Sequence, residues 1–347
     1  MPIQLTTRLV PIPSIPTPAP PAPPAGARGR LQAVVAPSPL GHLAVLPGAW
    51  TGHGFNQIFR PQNPGLDNFL ELNLTDETLE ITEIPGEIPN RGMVQPDISV
   101  FGMTYLQQVA DANVKDTQGN PAGIHIEPGI WLNVPATTEP DEPASVARLA
   151  NIPHGTSLLA QGLAADVAGV PVFPPVDITP FPIGDPGNRI PFPSQNLSQP
   201  SPDRSPAANI VGITQGMLDN PNSVLQDALV GKTITSHTRI DISTAPIPGG
   251  PTVGGGIADI AFLVGAGQPN AQVASMDATF WVSSCTDGEG NVGTLLQYSQ
   301  VVLLNFNGIS WPHVSVANLT LQAAEVLVPD LGAAGPAAPA PAYDEAP

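Results

Sequence analysis

In Phe69-Leu70-Glu71-Leu72-Asn73-Leu74-Thr75, apolar and polar residues alternate from Leu70 onward. Successive side chains of a strand point to opposite faces, so Leu70, Leu72 and Leu74 mark a buried face and Glu71, Asn73 and Thr75 the other. The same period of two recurs over residues 50–59, 98–107, 123–134, 146–161, 233–243, 271–283, 294–305 and 309–321. These segments are joined mostly through Gly, Pro and Asn, with no long helical pattern between them. The fold class this predicts is all-β: an antiparallel meander β-barrel of about nine to ten strands. One short helix is predicted, at residues 220–231, where Asn220 caps, Pro221 takes the first helical position and Gly231 follows the last turn.

Composition sets the limits around those strands. The 347 residues include 45 Pro and 34 Gly, and a helix interior loses about 3 kcal/mol for each Pro and about 1 kcal/mol for each Gly. A helical bundle is excluded. Proline concentrates in three places, which predicts a Pro-rich N-terminal arm (1–40), a single barrel domain (41–330) carrying a Pro-rich insertion (170–206), and an Ala/Pro-rich C-terminal tail (331–347). Phe173, Phe181 and Phe192 lie in the insertion, so it is expected to pack on the barrel, as a lid or as part of the wall, in contrast to a Gly/Ser-rich or charged linker.

Charge narrows the partners. Eleven Lys and Arg against 29 Asp and Glu give a net charge of −18, which repels phosphate backbones and argues against nucleic acid. No apolar run approaches the roughly 20 residues of a membrane helix. The single Cys285 cannot form an internal disulfide, and no N-terminal run has the order of a secretory signal, so the expected compartment is cytoplasmic.

Histidine is the scarcest polar resource, and five of the six lie in or beside predicted strands: His53, His125, His154, His237 and His313. No HExxH, paired Cys or His-x-His spacing suits a structural metal site. The glycine run Gly254-Gly255-Gly256 lacks the Lys and the strand-loop-helix setting of a phosphate cradle, and no Gly-x-Ser-x-Gly elbow occurs. His125 and Glu127, two apart on one strand face, form either an acid/base couple or a structural hydrogen bond.

Three segments in fixed order carry a resemblance. Gly48-Ala49-Trp50-Thr51-Gly52-His53-Gly54 opens the body, Ile124-His125-Ile126-Glu127-Pro128-Gly129 is a His-x-Glu-x-Gly strand, and Ser310-Trp311-Pro312-His313-Val314 lies on the last strand. Together they resemble the nitrobindin-like heme-binding β-barrel family, related to fatty-acid-binding proteins, over roughly residues 44–162 and 232–321. The resemblance implies heme b as cofactor, His313 as axial ligand of the heme iron, His125 in the pocket, and Trp311, Trp50, Gly52 and Gly54 at the cofactor site. It further implies nitric oxide binding and conversion of peroxynitrite to nitrate at ferric iron. Two other readings stand beside it: a non-enzymatic carrier of an apolar small molecule in the same barrel, and an assembly protein that docks through its Pro-rich arms.

Overall fold

The computed structural model describes residues 38–62, 68–152, 155–259 and 271–322. Ten antiparallel strands form a closed barrel: β1 (Gly48–Pro61), β2 (Asn68–Glu83), β3 (Ile98–Lys115), β4 (Pro121–Val134), β5 (Ser145–Ile152), β6 (Thr156–Ala168), β7 (Thr233–Ser243), β8 (Gln272–Thr286), β9 (Val292–Phe306) and β10 (Ile309–Leu321). Each strand pairs with the next in sequence, and β10 returns to pair with β1 from Trp50↔Leu321 to Gln57↔Val314. Closure leaves no free edge along most of the wall. The period-two reading places one strand over 146–161, whereas the structure has two, β5 and β6. β5 ends at Ile152 and β6 begins at Thr156; between them Gly155 turns with φ +109°, its N–H bonding back to the Ile152 carbonyl.

Which face points inward follows from the core. Trp50, Ile81, Met103, Trp131, Ile240 and Leu296 come from six different strands yet pack in one cluster, so their parity is the interior. By the same parity, Leu70, Leu72 and Leu74 of the alternating stretch face outward, and Glu71, Asn73 and Thr75 face in. The leucines are covered from outside. Together with Phe55, Phe59, Val314 and Val316 they form a second apolar cluster closed over by Phe173, Ile178, Leu218 and Leu225 from the segment between β6 and β7.

That segment contains the Pro-rich insertion, and it builds wall where the strands part. Beyond the last β1–β10 pair, Phe181 and Pro182 pair with Ser310 and Ile309. β2 pairs with β3 only from Thr75 onward, and the edge left at Leu70 bonds to the Asp203 carbonyl and the Ser205 N–H. Arg204, buried between them, donates to the carbonyls of Ser194, Asn196 and Gln199 at 2.7–2.9 Å and so fixes the loop.

The predicted helix is shorter than 220–231. α1 (Gln215–Asp219) precedes α2 (Ser223–Asp227), with Asn220 ending the first and Asn222 starting the second. They lie on the outer face of the barrel, where Gln297 and Asn318 donate to the Leu225 and Val224 carbonyls. Among the described residues no helix is long and apolar enough to cross a membrane. Of the N-terminal arm (1–40), residues 1–37 lie outside the described residues while Leu40 is buried in the barrel core, and the C-terminal tail (331–347) lies wholly outside them.

Candidate functional site

One end of the barrel is solid. The short 3-10 turn Gly41–Val45 sets Leu40, Leu43 and Leu46 beneath Trp50, whose indole N–H donates 2.8 Å to the Leu46 carbonyl. From that plug toward the other end the interior changes from apolar to polar. A partly open cavity of about 270 Å³ lies there, with walls from β1, β2, β3, β4, β9 and β10. Three hydrogen-bonded groups make up most of its wall.

The first is built around Glu127. Its carboxylate accepts from Tyr105 Oη at 2.5 Å and from Arg148 Nη2, and it faces His125 Nε2 at 3.3 Å. Arg148 also reaches Tyr105 Oη at 2.9 Å and Gln300 Oε1 at 2.9 Å. Its guanidinium lies among the rings of Tyr105, Trp131 and Phe280, at the boundary between the apolar core and the cavity. Burial alone would raise the Glu127 pKa, but the Arg148 charge together with His125 and Tyr105 outweighs it and holds the carboxyl at about 2. Burial pushes the Tyr105 hydroxyl far above its usual range, so the phenol keeps its proton and can serve as donor. Gly129, opposite Tyr105, must be glycine, because a Cβ there would stand 2.4 Å from the tyrosine ring.

The second is built around Glu77, which accepts from Tyr298 Oη at 2.6 Å, Thr75 Oγ1 at 2.8 Å and Gln107 Nε2 at 3.2 Å. Here burial wins over those three bonds and raises the pKa. The third is built around Asn56. Its Nδ2 donates to Asn73 Oδ1, and Asn73 donates to Asp111. Its Oδ1 accepts from Ser315 and lies 2.8 Å from His313 Nε2. An acceptor at that distance requires the proton on Nε2.

The structure brings His125 and His313 to one cavity, with Glu127 beside them. It places the other predicted site residues elsewhere. Trp50 is in the plug. Trp311 shares the inward parity of His313 but lies toward the hairpin end, stacked on Phe306 at 4.7 Å and packed against Phe192 of the insertion. Gly52 and Gly54 are there for close approach: a Cβ would meet the Asn318 carbonyl oxygen at 2.0 Å and the Val316 carbonyl oxygen at 2.2 Å, so β1 could not lie against β10. His53 is on the outer face with Asp76, and His237 bonds the Gly169 carbonyl; His154 lies outside the described residues.

Fit to heme is a matter of wall chemistry. A porphyrin needs two apolar faces and a bare imidazole nitrogen for its iron. Most residues lining this cavity carry amide, carboxyl or hydroxyl groups beside their carbon surface, and His313 Nε2 is held through its proton by Asn56, so the residues as arranged do not fit a porphyrin. Among the described residues no group of three or more His, Cys, Asp or Glu is placed to hold a metal ion. A broader open trough crosses the outer face over His53, Asp76, Gln108 and Ile126. Its lining shares Glu77, Val109, Ile124 and His125 with the interior cavity.

Sequence reasoning missed Glu77, Arg148, Tyr105, Tyr298, Gln107 and Asn56. Arg148 carried a signal, as a lone base inside the otherwise apolar run Val146-Ala147-Arg148-Leu149-Ala150 of a chain with few bases. No family model matches the chain, and no curated protein matches it.

Proposed function

We propose that the chain is a small-molecule-binding barrel whose ligand enters the cavity between Glu77, Glu127, His125 and His313. The observation that carries this reading is the cavity itself: a partly open space on which donors and acceptors from six strands converge. Binding sites generally combine such a concavity with a few placed polar groups. Its volume, about 270 Å³, equals roughly nine waters at their liquid share. An amphipathic ligand can place its body on Ile58, Val109 and Ile124 and its polar end on the carboxyl and amide groups.

The test fills the space. Ser315→Phe projects a ring into the cavity from β10. A fragment library screened by NMR should give hits that shift Gln300 and Ser315 in the wild type and vanish in the variant. Hits unaffected by Ser315→Phe, or no hits at all, would remove the reading.

Heme b is the second reading, and one observation favours it: His125 and His313 share a cavity. It requires Asn56 to release His313 Nε2 and the wall to widen. Purified protein titrated with hemin should then show a Soret band that His313→Ala alters; an unchanged spectrum excludes that ligand. The assembly reading rests on arms that lie outside the described residues.

A further inference from the structure

We propose that the ligand is a small organic cation, an amphipathic amine, whose ammonium group is held by Glu77. The inference rests on the interior cavity being a ligand site and adds the chemical class of the ligand.

Three carboxyl groups reach the cavity wall, and they are not equivalent. Glu71 is paired with Arg60 Nε at 2.7 Å, and Glu127 with Arg148. Glu77 is buried, with 4% of its surface exposed, and among the described residues it has no Lys or Arg partner within ion-pair distance. Its neighbours are neutral donors from three strands: Tyr298 on β9, Gln107 on β3 and Thr75 on β2. A carboxylate offers about four lone-pair positions, so three donors leave a position for a further one. Donors converging on both oxygens suit an anion. A buried anion without a cation is costly, and the cost is removed when a cation arrives.

The surroundings agree with such a cation. Tyr298 lines the cavity beside the carboxyl. Val109 and Ile124 give the apolar body a wall. A chain of net charge −18 draws cations and repels anions at a distance.

The titratable and charged groups facing Glu77 are Tyr298 from β9, His125 from β4 and, beyond Gln107, the Glu127–Arg148 pair. Burial raises the Glu77 pKa, against the hydrogen bonds of Tyr298, Thr75 and Gln107 and the influence of His125. An arriving ammonium favours the carboxylate, so binding expels a proton from the fraction of Glu77 that carries one.

The experiment is calorimetry on the full chain with two isosteric probes, phenethylamine and 2-phenylethanol, in two buffers of different ionisation enthalpy near pH 6. Charged hydrogen bonds are worth more than neutral ones, so the amine should bind at least about tenfold tighter than the alcohol. The difference between buffers should report proton release. Glu77→Gln should abolish both the preference and the release, while His53→Ala on the outer trough should leave them unchanged. If Glu77→Gln fails to fold by circular dichroism, the wild-type preference and proton release decide. Equal affinity for the two probes, a preference that survives Glu77→Gln, or no amine binding overturns the proposal. Alcohol binding without amine preference leaves the ligand-binding barrel standing; if neither probe binds, the amine proposal falls and Ser315→Phe judges the barrel separately.

Discussion

Glu127 and Glu77 line the same cavity, and both are almost wholly buried, yet their neighbours send them in opposite directions. Arg148 supplies Glu127 with a full charge at contact distance. Removing that charge leaves a buried carboxylate uncompensated, and such losses are large. Arg148→Met should destabilise the fold by about 3–5 kcal/mol in urea titrations; a change below about 1 kcal/mol would mean that water or another base already balances Glu127. The two carboxyls also give opposite pH behaviour. Glu127 falls from 4.5 to about 2 on folding, so its stabilisation is present above pH 4.5 and is lost as the pH drops toward 2. Glu77 is raised above 4.5, so it destabilises the fold as the pH climbs past that value. Glu77→Gln should therefore be more stable than wild type at about pH 8 and indistinguishable from it at about pH 4. A variant that is less stable at both pH values would show that the hydrogen bonds to Glu77 outweigh its burial. Of these residues only Glu127, with His125, was legible in the sequence, because the pair sits in a His-x-Glu pattern. Glu77 stands in Leu74-Thr75-Asp76-Glu77-Thr78-Leu79, where two polar neighbours hide the inward one.

At the scale of elements, period two fixed strand positions well and could not say which face is the interior. Leu70 and Leu72 are buried and Leu74 partly so, as alternation requires, but beneath the insertion and outside the barrel. Alternation reports burial and is silent on what does the burying. The insertion's proline density speaks against long strands and its phenylalanines call for cover, though Phe181 and Pro182 still pair with β10. Its docking place was not legible, because Phe181 and Asp203–Ser205 fill gaps where β10 and β2 lose their barrel partners, a property of pairing between distant segments. Phe173 packs edge-on against Trp281 at 4.9 Å and is 8% exposed. Phe173→Ala should cost about 3 kcal/mol or more in denaturant unfolding. Replacing residues 172–204 with a short Gly/Ser linker should uncover Phe59, Leu70 and Val314, lower the melting temperature and produce dye-binding apolar surface. An unchanged melting temperature would show that the barrel stands without its cover.

For the whole molecule, the decisive quantity is charge. With 29 acidic side chains against 11 basic ones, at least 18 carboxylates have no Lys or Arg to pair with. Many of the bases are committed: Arg60, Arg91, Arg148, Arg189 and Arg239 already hold a carboxylate each. Closure of the barrel brings carboxylates from all sides into one compact body, so the folded state carries more self-repulsion than the extended chain. Salt acts on that difference. Its screening length falls from about 30 Å at 0.01 M to about 8 Å at 0.15 M, from the width of a domain to the spacing of near neighbours. The exposed ion pairs lose little over the same range, since each is worth under about 1 kcal/mol, and the buried Arg148–Glu127 pair is shielded from the ions. Raising sodium chloride from 0.01 to about 0.15 M should therefore raise the melting temperature by a few degrees, as weakened repulsion outweighs weakened pairs. A melting temperature that falls with salt would mean that the surface pairs matter more than the uncompensated acids. In that case the acidic field would be weaker than its formal charge, and the steering of cations toward the cavity would weaken with it.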